Sequence, residues 1–125
     1  MTKILIVGIG GFLGSVFRFM LVEWVHKILN NPWYPYGTFA VNVLGCLLMG
    51  FFAGLAENKG LLGSEMRLFF LIGILGGFTT FSAFGYETLA LSRDAQMLAA
   101  MMNIVLHVVL GFGAVFLGYQ VSNLI

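Results

Sequence analysis

Gly76-Gly77-Phe78-Thr79-Thr80-Phe81-Ser82-Ala83-Phe84-Gly85 sits inside an apolar segment long enough to cross a bilayer. Paired glycines and paired threonines are poor helix formers. In hydrocarbon an unpaired backbone N–H or C=O is costly, so a helix is interrupted there only where protein or an aqueous cavity satisfies the freed groups. The stretch therefore predicts a break at membrane depth. Freed carbonyls and half-helix ends at such breaks are where ions bind.

The rest of the 125-residue chain supports that setting. It is 60% hydrophobic and 9% charged, with mean hydropathy +1.00. A soluble domain of this length needs more charge to cover its surface. The charges cluster at Lys3, Arg18 to Lys27, Glu57 to Arg67 and Glu87 to Asp94. Between them lie four apolar stretches, at residues 4–24, 36–56, 68–90 and 95–122, each near or above the roughly 20 residues a spanning helix needs. The expected fold is an all-α membrane protein, one four-span transmembrane domain over residues 1–125, with the break in its third helix. Lys3 before an apolar run resembles a signal peptide, but no small-residue cleavage site precedes a polar chain, so the first segment reads as a retained helix.

Counting Lys3, Lys59 and Arg67 on one side and Arg18, Lys27 and Arg93 on the other gives three against three. The positive-inside rule then sets no orientation. A short protein offers a weak signal; alternatively, the chain inserts both ways and pairs as an antiparallel, dual-topology homodimer. Four helices per chain, too few to enclose an obvious pathway, make that alternative worth carrying.

Several function classes find no support. The G-x-G-x-x-G fingerprint starting at Gly8 fails at Leu13, and no acidic residue follows near position 30 to hold a ribose. Gly10 and Gly14 form a small-xxx-small pair for close helix packing instead, as do Gly50 and Gly54. Cys46 has no thiol partner and reads as a small packing residue. No His-Cys-carboxylate cluster suits a transition metal. No serine, histidine and acid are placed for nucleophilic catalysis, so the protein is not expected to be an enzyme. Nothing points to nucleic acid.

Asn30-Asn31-Pro32-Trp33-Tyr34-Pro35-Tyr36 marks a membrane boundary by its turn residues and interfacial aromatics. Arg18, placed about one turn inside the end of span one, is either a snorkelling side chain or a positive charge at the mouth of an anion path. Thr38 and Asn42 share a face of span two. Asn42 either ties helices together or donates its NH2 to a passing anion. Ser64 is the expected N-cap of span three. Beyond the break, Phe81, Phe84 and Glu87 fall near one helical face, with Thr80 and Thr88 alongside. Span four places Asn103, His107 and Gly111 in a thin polar line.

These residues resemble the Fluc/CrcB family of fluoride channels. The resemblance covers essentially the whole chain: four spans, balanced positive charge, Val41-Asn42-Val43-Leu44-Gly45 in span two and the span-three motif. It implies a multi-pass channel of the bacterial plasma (inner) membrane that exports fluoride passively, as an antiparallel homodimer with two pores. Phe81 and Phe84 match the family's pore phenylalanines and Asn42 its pore asparagine. Thr80, Ser82, Asn103, His107, Thr38, Glu87 and Arg18 are the further pore candidates. Gly76 and Thr79 match positions whose backbone carbonyls hold a structural sodium ion at the dimer axis. The family's span-four track often uses Ser, Thr or Tyr. Asn103, His107 and Gly111 depart from it, and the histidine predicts flux that varies between about pH 5.5 and 8.

Independent physics is compatible. Fluoride is strongly hydrated, so a path must replace water's donors without holding the ion too tightly. A phenyl ring has a positive edge to offer an anion. Two other readings remain. A small drug/proton antiporter requires a carboxylate within span one, where none precedes Glu23. A non-transporting anchor accounts for the glycine pairs but not for the break or Asn42.

Overall fold

Each apolar stretch forms a helix. The computed structural model describes residues 1–125, and its helices are α1 (Thr2–Ile28), α2 (Tyr36–Asn58), α3 (Ser64–Arg67), α4 (Gly76–Phe78), α5 (Phe81–Arg93) and α6 (Met97–Leu124). A π-helical stretch, Leu68–Leu75, joins α3 to α4. The segment Ser64–Arg93 thus makes the third of four helical units long and apolar enough to span a membrane. Only 21 residues are buried, and large apolar side chains such as Phe12, Phe19, Phe112 and Phe116 point outward. Such a surface suits lipid or another copy of the chain rather than water.

The spans run further than charge clustering predicts. Glu23, His26 and Lys27 sit within α1, which continues to Ile28. Charge does not end a helix; the turn at Asn30 and Asn31, both at positive φ (53° and 54°), does. Arg18 consequently lies about three turns before the end of α1, not one. It is no loop charge, and the positive charges outside the spans' interiors become Lys3, Lys59 and Arg67 against Lys27 and Arg93. Ser64 is also displaced from its expected role. Gly63 holds the N-cap position with no side-chain cap, and Ser64 is the first helical residue.

Glycine sets the helix pairing. A Cβ on Gly10 would meet the Phe69 carbonyl at 2.7 Å and Gly73 Cα at 2.9 Å, and one on Gly14 would strike the Ile74 carbonyl. These contacts press α1 against the π-helical stretch and α4. Across the molecule, Gly50 meets the Val115 carbonyl, Gly54 meets Ser122 and Gly118 meets the Leu47 carbonyl, which seats α2 along α6. The third span divides its allegiance. Its first half lies on α1, whereas α5 packs against α6.

Candidate functional site

Where the third span changes neighbours, two residues leave the helix. Thr79 has φ −80°, ψ 156° and Thr80 has φ −147°, ψ 115°, both extended. β-branched residues adopt such angles readily. The freed groups are then satisfied one by one. Thr79 donates its N–H and its hydroxyl to the Leu75 carbonyl, each at 3.0 Å. The Thr80 N–H, which in a continuous helix would reach the Gly76 carbonyl, donates instead to Asn42 Oδ1 at 2.8 Å. Asn42 Nδ2 returns a bond to the Thr80 carbonyl at 3.1 Å. The Thr80 hydroxyl accepts from the Ala83 N–H at 3.2 Å and so caps α5. Arg18 Nη1 reaches the Thr79 carbonyl at 3.5 Å. That contact places its guanidinium beside the extended pair.

A groove of about 370 Å³ opens along this point. Asn42, Gly45, Cys46 and Met49 of α2 form one wall. Thr79, Thr80, Phe81 and Phe84 form a second, and His107, Val108, Gly111, Phe112 and Val115 of α6 a third. None of these carries a formal charge at neutral pH. Aromatic rings run along it: Phe81 and Phe84 have centroids 5.5 Å apart, Phe84 and His107 4.5 Å, and His107 meets Phe39 edge-on at 5.2 Å. Phe81 is 84% exposed, so the groove is open on that side.

A second polar cluster lies one turn further along α5. Thr38 donates to Glu87 Oε1 at 2.6 Å, while Glu87 Oε2 is buried without a partner. Asn103 is fully buried; its Nδ2 donates to Thr88 Oγ1 at 2.8 Å, and Thr88 donates to the Phe84 carbonyl at 2.8 Å. Tyr34 donates to Asn103 Oδ1 at 3.1 Å. Burial foremost, then electrostatic repulsion from Tyr36 and Glu87, pushes the Tyr34 phenol above its ordinary value, so it remains a donor.

The expected site residues therefore separate into groups. Asn42, Thr79, Thr80, Phe81, Phe84 and His107 converge on the groove. Thr38, Glu87 and Asn103 belong to the second cluster. The polar line expected on span four is split, because Asn103 is taken up by Tyr34 and Thr88 and only His107 and Gly111 face the groove. Ser82 is exposed and meets Thr80 Oγ1 at 3.2 Å. Gly76 lies in α4, short of a backbone donor from Thr80. Sequence reasoning passes over Tyr34 as a boundary aromatic and Cys46 as packing. Both signals were weak: one phenol among three loop aromatics, and one thiol without a partner.

The fold and site define a small four-span membrane protein with a side-opening, largely apolar groove built on an interrupted helix. Residues 5–119 match the family model described as CrcB-like protein, Camphor Resistance (CrcB), and the chain belongs to that family. A fluoride-specific ion channel FluC from Methylobacillus flagellatus is 40% identical over 124 residues, covering 99% of this chain and 97% of the relative. One from Rhizobium meliloti is 43% identical over 118 residues, 94% of each chain. A third, FluC 1 of Methanosarcina acetivorans, is 42% identical over 94% of this chain and 88% of its own length. These relatives are named as ion channels, not enzymes, and the chain is a multi-pass membrane protein.

Proposed function

We propose that this protein is a fluoride channel that lets the ion leave the cell passively across a bacterial plasma membrane, and that the groove is its pathway. The observation that carries the reading is the wall chemistry. At the interrupted third span, the Asn42 amide and the Phe81 and Phe84 rings line a mostly apolar groove free of formal charge. A hydrated anion needs replacement donors that release it again. One hydrogen of Asn42 Nδ2 is spent on Thr80, and the amide has a second to offer. The N-terminus of α5 opens at the same place, where its backbone dipoles favour an anion. Phe81 and Phe84 line the path, and a phenyl ring has a positive edge to offer an anion.

The finer parts of the reading follow from the open side of the groove. A second, antiparallel copy would close it and give two equivalent pathways per dimer. Gly76 and Thr79 would supply backbone carbonyls to a sodium ion between the copies. Their chemistry suits a hard cation: both are neutral oxygen donors, and the Gly76 carbonyl has lost the Thr80 N–H to Asn42. Arg18 already approaches the Thr79 carbonyl, so that oxygen would be shared. The ion would neutralise converging carbonyl dipoles, a structural role.

Fluoride efflux from vesicles containing the purified protein, read with a fluoride electrode and compared with chloride, is the test. Fluoride without chloride is the expected result. Phe81→Ile and Phe84→Ile should abolish or strongly reduce the flux while assembly persists. Proton-coupled cation exchange, or normal flux in both variants, would overturn the pathway as drawn.

A further inference from the structure

Among the polar atoms around the groove, one ring nitrogen has no partner. His107 Nδ1 lies 2.9 Å from the Asn103 backbone carbonyl. A carbonyl only accepts, so in the neutral ring Nδ1 carries the hydrogen. Nε2 is then a bare acceptor, and it is buried with no hydrogen bond. The ring is held in this pose by Phe39 edge-on at 5.2 Å and by Phe84 at 4.5 Å. The ring lines the groove, and a lone pair fixed just beneath that wall opposes an anion passing it. Protonation adds a positive charge beside the groove and turns the same atom from an acceptor into an N–H donor.

We propose that His107 is a proton-linked gate on anion passage: flux is low while Nε2 offers a lone pair and rises once Nε2 takes a proton from the aqueous phase. The inference rests on the anion-channel reading above. Histidine is the side chain whose charge ordinarily changes between about pH 5 and 8. Titratable and charged groups lie on the elements that pack on α6 and on those beyond them. On α2 the Cys46 thiol lines the same groove. On α5 Glu87 lies one turn past Phe84, engaged by Thr38. Tyr34 of the loop reaches Asn103, Arg18 of α1 reaches the Thr79 carbonyl, and His26 of α1 packs near Gly37. None of them is hydrogen-bonded to His107. The ring's own protonation is therefore what changes the polarity of Nε2.

The test is fluoride efflux from vesicles carrying the full-length protein, between about pH 8 and about pH 5.5. Protein-free vesicles at each pH are subtracted, because undissociated hydrogen fluoride crosses lipid unaided. Protein-mediated flux should rise about threefold or more on acidification. The rise should vanish in His107→Gln, whose amide offers an N–H donor at every pH. A second readout does not need the variant. In imidazole ¹⁵N spectra of the reconstituted wild type at about pH 7, fluoride in place of chloride should increase the protonated fraction of His107, because the linkage is reciprocal, and leave His26 unchanged. A flat wild-type profile, flux that falls on acidification, a rise retained by His107→Gln, or a His107 indifferent to fluoride overturns the gate and leaves the channel reading standing. Absence of fluoride flux at every pH overturns the channel reading, and the gate with it.

Discussion

Asn42 holds both backbone groups of Thr80, and that double bond gives the asparagine a structural duty besides any contact with an anion. Asn42→Ala leaves a carbonyl and an N–H without partners at membrane depth, where each orphan costs about 1–3 kcal/mol. We expect a large drop in the thermal midpoint in detergent, together with loss of flux. A variant that lost flux at unchanged stability would mean the amide acts on the ion alone. Tyr34 makes a comparable prediction outside the spans. Tyr34→Phe keeps the ring but strands the fully buried Asn103 Oδ1, at a cost of about 1–3 kcal/mol. The phenol titrates above its ordinary value in the folded protein, so the unfolded chain loses its proton first as pH rises. Stability from this group is present below about pH 10 and lost above it. Thermal melts should therefore fall more steeply at alkaline pH in the wild type than in Tyr34→Phe. In the sequence Asn42 stood out as an amide in an apolar helix, whereas the phenylalanines gained a pore role only through the family resemblance. The sequence could not point to Tyr34, whose role depends on a loop folding back onto a residue far along the chain.

At the scale of elements, the glycine pairs of α1 and α2 were legible because small-residue spacing states a packing preference directly. The π-helical stretch Leu68–Leu75 was not: Leu, Phe, Ile and Gly in an apolar run carry no mark that separates an i+5 from an i+4 hydrogen-bond ladder. Its position opposite α1 matters, since the Phe69 and Ile74 carbonyls are the groups that meet Gly10 and Gly14. A methyl group at Gly14 would strike backbone, which cannot swing aside as a side chain can. Gly14→Ala should destabilise the protein by about 1–3 kcal/mol or more through overpacking. Gly8 is the internal control: a Cβ there meets nothing within 4 Å, so Gly8→Ala should melt with the wild type. Equal melting of the two variants would show that α1 does not rest on the third span as described. The displaced end of α1 has the same kind of cause. Hydropathy registers where charge begins, whereas the helix ends where the Asn30–Asn31 backbone turns left-handed.

For the whole molecule, a groove lined by an 84% exposed Phe81 is open on one side, and one chain does not enclose it. If the missing wall is an inverted copy, both orientations must be made, and the charge distribution bears on that directly. With Arg18 inside a span, three positive residues at one end face two at the other, a difference too small to fix orientation. Adding three lysines to the loop Lys59–Gly63 should hold that loop in the cytoplasm; adding them to the loop Leu29–Pro35 should lock the opposite insertion. Each locked variant alone is expected to give little fluoride efflux, because it can find no inverted partner. Co-expression of the two should restore efflux, read as fluoride release from cells or from vesicles made with the mixed protein. Full activity from either locked variant alone would instead require that parallel copies, or a single chain, close the groove. The outcome tests the assembly without touching any residue that lines the pathway, so it separates how the walls are brought together from what the walls do to the ion.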